Sequence, residues 1–202
     1  MTSPTWLADV RAKAAELPGV NAGDFVLNSE LHGAAHVNRV IVLGQCLARA
    51  QGAFRDLRLN LWAATYLHDL ERQHDDVCLE HGAWAVERRL PGLTPLFLRH
   101  GVRPCGIEAI AEAVRQHCRP VEVARSHPDW ALIALLKDAD ALDRWRLGDL
   151  DPSFLRTPAA PGFMDFSRDL FDLTDTDPRR EQLDFIWSAA CSIEPPPAIS
   201  LT

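Results

Sequence analysis

The sequence predicts an all-α fold, a single-domain helical bundle, on three observations. Apolar residues recur at three- and four-residue spacings nearly throughout the 202 residues. No stretch of useful length alternates apolar and polar residues, as a half-buried strand would. Proline or glycine closes most of the periodic stretches, where a helix has to stop. A chain of this length can bury one large shared core, so one domain over 1–202 is the simplest organisation.

The elements follow in order. "TWLADVRAKAAEL" predicts a short amphipathic helix ending at Pro18-Gly19. "AAHVNRVIVLGQCLARAQG" carries the stripe Val37, Val40, Ile41, Leu43, Gly44, Cys46 and Leu47 and stops at Gly52. "LRLNLWAATYLHDL" and "CLEHGAWAVERRL" come next, the second closed by Pro91-Gly92. "PCGIEAIAEAVRQHC" begins with Pro104 in its first turn and ends before Pro120. "HPDWALIALLKDADALDRWRL" runs from a Pro-Asp start to Gly148. Residues 148–163, "GDLDPSFLRTPAAPGF", break the periodicity with three prolines and read as a loop, either a lid or a packed connection. Helical segments near 164–173 and 178–192 and a proline-rich tail complete the chain.

Composition narrows the functions open to such a fold. Hydrophobic residues make up 47%, ordinary for a globular protein. The formal charge is −7, and no basic cluster with interleaved aromatics occurs, which argues against polymeric nucleic acid as a partner. No window approaches the ~18 apolar residues of a membrane span. The N-terminus lacks the apolar core of a signal peptide, and the five scattered cysteines form no CxxC pair. Together these predict reduced thiols and a cytoplasmic protein with no membrane partner.

The polar residues on apolar faces carry the functional signal. His68 shares a helical face with Leu61 and Ala64, and Asp69 follows near the helix end, where a carboxylate is disfavoured by the helix dipole unless a cation compensates. His36 lies one turn before Val40, with His32 four residues earlier. His81 begins one apolar helix and His117 ends another. Asp138, Asp140 and Asp143 sit in the helix striped by Leu132, Leu135, Leu136, Ala139 and Leu142, and Asp143 lies closer to that stripe than Asp140. Separate helices that each bring an imidazole or carboxylate inward have a natural common partner in a metal ion.

The ordered set His36, His68-Asp69 and Asp140 resembles the HD superfamily of metal-dependent phosphohydrolases. "HGAAHVNRV" is similar to that family's HG-x-x-H-x-x-RV opening, "YLHDLERQHDD" to its central block and "KDADALDRWR" to its closing AD-x-L element; the likeness spans residues 29–147. It implies His36, His68, Asp69 and Asp140 as metal ligands, the choice of Asp140 resting on the family alone. His81 and His117 match the extra ligands of branches that hold two ions bridged by the doublet aspartate. The implied cofactor is one or two divalent transition-metal ions (Mn, Fe, Zn, Ni or Co).

The implied reaction is hydrolysis of a small phosphorylated molecule, a nucleotide by family habit, by a metal-activated water held by Asp69. Arg39, Arg72 and Lys137 are the candidate cations for the phosphoryl oxygens, and Glu71 or Glu80 the candidate proton carriers. Phe154 and Arg156 are expected to turn residues 148–163 into a substrate-choosing loop. A homodimer is compatible with this reading. The alternatives are a di-iron oxygenase of HD type and a non-catalytic small-ligand or metal sensor.

Overall fold

A computed structural model of the protein describes residues 5–196. Among them are nine α-helices and no strand. They are α1 (Thr5–Ala14), α2 (Ala34–Ala50), α3 (Arg55–Leu67), α4 (His81–Arg88), α5 (Leu90–Arg99), α6 (Ile107–His117), α7 (Trp130–Leu142), α8 (Met164–Thr174) and α9 (Leu183–Ala190). The end of the proline-rich tail, 197–202, lies outside the described residues. Among these helices none is long and apolar enough to cross a membrane.

The centre of the bundle is α2, whose residues Ala34 to Ala48 are all buried. A helix so enclosed has to be covered on every side. Helices α3 and α7 flank it, and α1, α8 and α9 pack around the rest. Helix α6 lies against α3, α7 and α4. Gly44 sets the spacing of the central layer: a Cβ there would already touch Leu61, Thr65 and Ala139 at 3.4–3.6 Å. That close approach places the N-terminal turn of α2 beside the C-terminal ends of α3 and α7.

One helix escapes the sequence pattern. Pro91-Gly92 reads as a stop, yet Leu90–Arg99 is helical. Pro91 stands in the first turn, where its missing N–H had no helical partner to lose. Pro95 forfeits one internal bond, and the Thr94 hydroxyl donates to the Leu90 carbonyl at 2.8 Å. Tertiary packing outweighs that loss. Phe97 is fully buried edge-on against Trp62 at 5.4 Å and Tyr66 at 5.9 Å, docking α5 onto α3.

Other boundaries shift by a turn. The α1 helix ends at Ala14, three residues short of expectation. The helix expected over 127–147 is α-helical over Trp130–Leu142 and tightens into a 3-10 turn, Arg144–Leu147, that ends at Gly148 with φ +70°. Residues 148–163 form an irregular segment with short 3-10 turns at Pro152–Phe154 and Ala160–Phe163. The buried Asp138 carboxylate ties it to α7 by accepting the backbone N–H groups of Arg156 at 2.9 Å and Thr157 at 2.7 Å.

Candidate metal centre

Five helices deliver side chains to one point: α2 brings His36, the end of α3 brings His68 and Asp69, α4 brings His81, α6 brings His117 and α7 brings Asp140. His36 Nε2 lies 3.3 Å from His68 Nε2, 3.4 Å from Asp140 Oδ1 and 3.6 Å from Asp69 Oδ2. On the other side, His81 Nε2 lies 2.8 Å from His117 Nε2 and 3.0 Å from Asp69 Oδ1, and His117 Nε2 is 3.6 Å from that same oxygen. Asp69 therefore stands between two imidazole pairs with one oxygen toward each. Metal–ligand bonds of about 2.0–2.2 Å put neighbouring donor atoms about 2.8–3.6 Å apart, which is the spacing found here.

Hydrogen bonding at the far nitrogens fixes which face of each ring is turned inward. The Nδ1 groups donate to backbone carbonyls: His68 to Thr65 at 2.7 Å, His81 to Cys78 at 2.9 Å and His117 to Val114 at 2.6 Å. A carbonyl only accepts, so Nδ1 carries the proton and, in a neutral ring, Nε2 presents a lone pair. His36 Nδ1 is held instead by Asp143 Oδ2 at 2.8 Å. Four Nε2 lone pairs and two carboxylates thus face one another with no hydrogen between them. Protonating His68 and His81 is opposed by burial, which brings His68 down to about 3 despite the nearby Asp69 charge and lowers His81 as well. Such a constellation is short of positive charge, and its His and Asp groups could hold a metal cation.

Each shell of the site has its support. Asp143 is fully buried and accepts Arg39 Nε at 2.6 Å and Nη2 at 3.1 Å while orienting His36. Burial acts to raise its carboxyl, but Arg39 and His36 bring it to about 2. His32 Nδ1 lies 3.2 Å from Asp69 Oδ2, so a third imidazole touches that oxygen of the central carboxylate, beside His36 and His68. Gly82 is dictated by the approach of α4 to α6: a Cβ there would fall 2.2 Å from the Val114 carbonyl and 3.1 Å from the His117 ring.

The expected cations divide. Arg39 is not at the open side: it is buried behind His36, paired with Asp143 and stacked at 5.1 Å over Phe171 of α8. Its role as a phosphate contact is corrected to that of a structural counter-ion, because its carboxylate partner sits on the core side of α7. Arg72 does face the site, with Nε 3.4 Å from Asp69 Oδ1 and Nη1 anchored on the carbonyls of His74 and Asp76. Lys137 lines a cavity of about 320 Å³ next to His117 and Asp140, with Nζ 2.9 Å from Glu122 and from the Arg119 carbonyl. Glu71 is turned away, held by Arg88 at 3.2 Å and Arg89 at 2.5 Å.

Residues 148–163 form part of the wall of that cavity through Asp151, Phe154 and Arg156. Arg156, expected to reach a phosphate, is occupied instead: Nη2 is 2.6 Å from Glu122 Oε1 and Nη1 3.3 Å from Asp138 Oδ1. Glu122 is drawn down to about 2, first by Arg156 and then by Lys137, against the opposing effect of burial. Phe154 is 66% exposed at the rim. Two arginines escaped the sequence reading. Arg144 borders both this cavity and a second of about 210 Å³ over Asp69 and His81; Arg146 lies 3.3 Å from His32 and 3.9 Å from Asp140. The tight turn after α7 directs Arg146 inward and leaves Arg144 at the rim, paired with Asp149, a feature helical spacing cannot show. No family model, curated protein or solved structure matches the chain.

Proposed function

We propose that the chain is a member of the HD superfamily of metal-dependent phosphohydrolases, hydrolysing an ester of a small phosphorylated molecule, a nucleotide by the habit of that family. One observation carries this reading: Asp69 offers one oxygen to the His36–His68 pair and the other to the His81–His117 pair, with every Nε2 lone pair turned inward. The donor set is nitrogen and oxygen on buried, pre-oriented side chains, which fits divalent transition metals. When bound, such ions supply Lewis acidity and lower the pKa of water toward neutrality.

The chain's own residues set the rest. Asp69 bridges the two halves and, with Asp140, fixes negative charge where cations are to be held. Asp143 keeps His36 in the tautomer that aims Nε2 inward. Arg72 on one side and Lys137 and Arg144 on the other flank the open cavities; Lys137 is paired with Glu122 and Arg144 with Asp149, so an arriving phosphoryl group would take the place of those carboxylates. Phe154 at the rim gives a flat apolar surface to the remainder of the substrate.

The test is phosphate release from a panel of nucleotides and phosphorylated metabolites by metal-loaded protein, beside Asp69→Ala. Release by the wild type alone supports the proposal; no release from any member at full metal occupancy contradicts it. One specific observation favours a second reading. His81 and His117 both sit against Asp69 Oδ1, completing the six-residue set that resembles HD-type di-iron oxygenases. Bound iron with oxygen-dependent redox cycling, and no phosphate release, would select that chemistry instead.

A further inference from the structure

The half of the centre formed by α4 and α6 contains a donor of a different kind. Cys118 follows His117 directly and caps α6, as Asp69 follows His68 at the end of α3. Ligand atoms of His81, His117 and Cys118 all lie within 4.8 Å of one another. Asp69 Oδ1 stands 3.0 Å and 3.6 Å from the two imidazole nitrogens. The pair His36–His68 with Asp140, in contrast, has only nitrogen and oxygen donors.

The surroundings suit a ligand role for the thiol. His81 is 2% and His117 8% exposed, and their Nε2 atoms face each other at 2.8 Å with both Nδ1 protons already committed to carbonyls, so these two buried nitrogens lack a partner between them. Cys118 borders the ~210 Å³ cavity that reaches the same point. Its sulfur lies 3.2 Å from the Leu79 carbonyl, to which the thiol donates. Cys78, the other thiol nearby, is turned to Glu80 at 3.8 Å and serves the site through its carbonyl on His81 Nδ1.

We propose that His81, His117, Cys118 and Asp69 form a four-donor site for a borderline ion of the zinc or cobalt(II) type, making the centre chemically asymmetric, with a harder ion such as manganese or iron(II) at His36, His68, Asp69 and Asp140. This rests on the two-ion centre proposed above. Thiolate with imidazole and carboxylate in fourfold array favours zinc-like ions, whereas an all nitrogen–oxygen set accepts harder ones. On binding, the Cys118 S–H bond breaks, its electron pair forms the sulfur–metal bond, and its proton leaves to water through the cavity.

The test is titration of the chelator-treated full chain with cobalt(II), followed by absorption for the sulfur-to-cobalt charge-transfer band, in wild type, Cys118→Ser and Cys78→Ser. The expected result is two bound ions in the wild type, with the band arising from one of them. Cys118→Ser should melt like wild type without metal, lose the band and weaken that ion by at least about 10-fold, the loss that even outer partners of a metal ligand cause; Cys78→Ser should keep both. Two bound ions with no band, or a band that survives Cys118→Ser, overturns the cysteine assignment and leaves the two-ion centre intact. One ion or none overturns both.

Discussion

Replacing Gly82 by alanine would test how the α4–α6 contact builds the His81–His117 pair. In an isolated helix the change should help, since alanine is better than glycine in a helix by up to about 1 kcal/mol. Here the new methyl would sit 2.2 Å from the Val114 carbonyl, the group that holds His117 Nδ1. Restoring the 3.4 Å of ordinary contact requires α4 and α6 to part by about 1.2 Å, or the carbonyl to turn off the imidazole. Overpacking of this kind costs about 1–3 kcal/mol, and at this chain length each kcal/mol moves the melting temperature by about 2–4 °C. Calorimetric melts without metal, paired with metal titration, read both consequences. The melting temperature should fall by about 2–12 °C, and binding at the His81–His117 half should weaken while the His36–His68 half keeps its ion. A variant as stable as wild type that binds both ions equally well would refute the packing explanation for Gly82.

Other perturbations follow from the same geometry. Asp143→Asn should destabilise the protein by about 3–5 kcal/mol, because Arg39 is left buried without its counter-charge; an unchanged denaturation midpoint would contradict that role. Asp69→Ala should fold as well as wild type without metal, since it removes a buried carboxylate, yet lose turnover and both ions; full occupancy with undiminished turnover would contradict its bridging position. Each ion at 100-fold excess over its dissociation constant should add about 2.7 kcal/mol to unfolding, read as a concentration-dependent rise in melting temperature. Arg156→Ala cuts the clamp to Glu122 and Asp138 and should raise KM for the phosphorylated substrate at constant metal content. Wild-type kinetics would make residues 148–163 a connection only.

Much of the site could be read from residue order, because helical spacing states which side chains turn inward. His36, His68, Asp69, Asp140, His81 and His117 all arrive at one point in the structure. Spacing also put Asp143 nearer the apolar stripe than Asp140, and the structure gives that fact a meaning: the deeper carboxylate grips His36 from behind and the shallower one faces its Nε2. What spacing could not supply was pairing across elements. Arg39 looked free for a phosphate because its partner lies 104 residues away in sequence. Arg156 likewise finds Glu122 34 residues earlier. Helix α5 was hidden for another reason: its prolines obey local rules that Phe97, buried against Trp62 and Tyr66, outweighs.

Elemental analysis of the purified chain, wild type beside Asp69→Ala, tests the central claim most directly. Two divalent transition-metal ions per wild-type chain, lost in Asp69→Ala, is the predicted result. A wild-type protein that carries no metal, takes up none from excess manganese, iron or zinc, and melts identically with EDTA would contradict it.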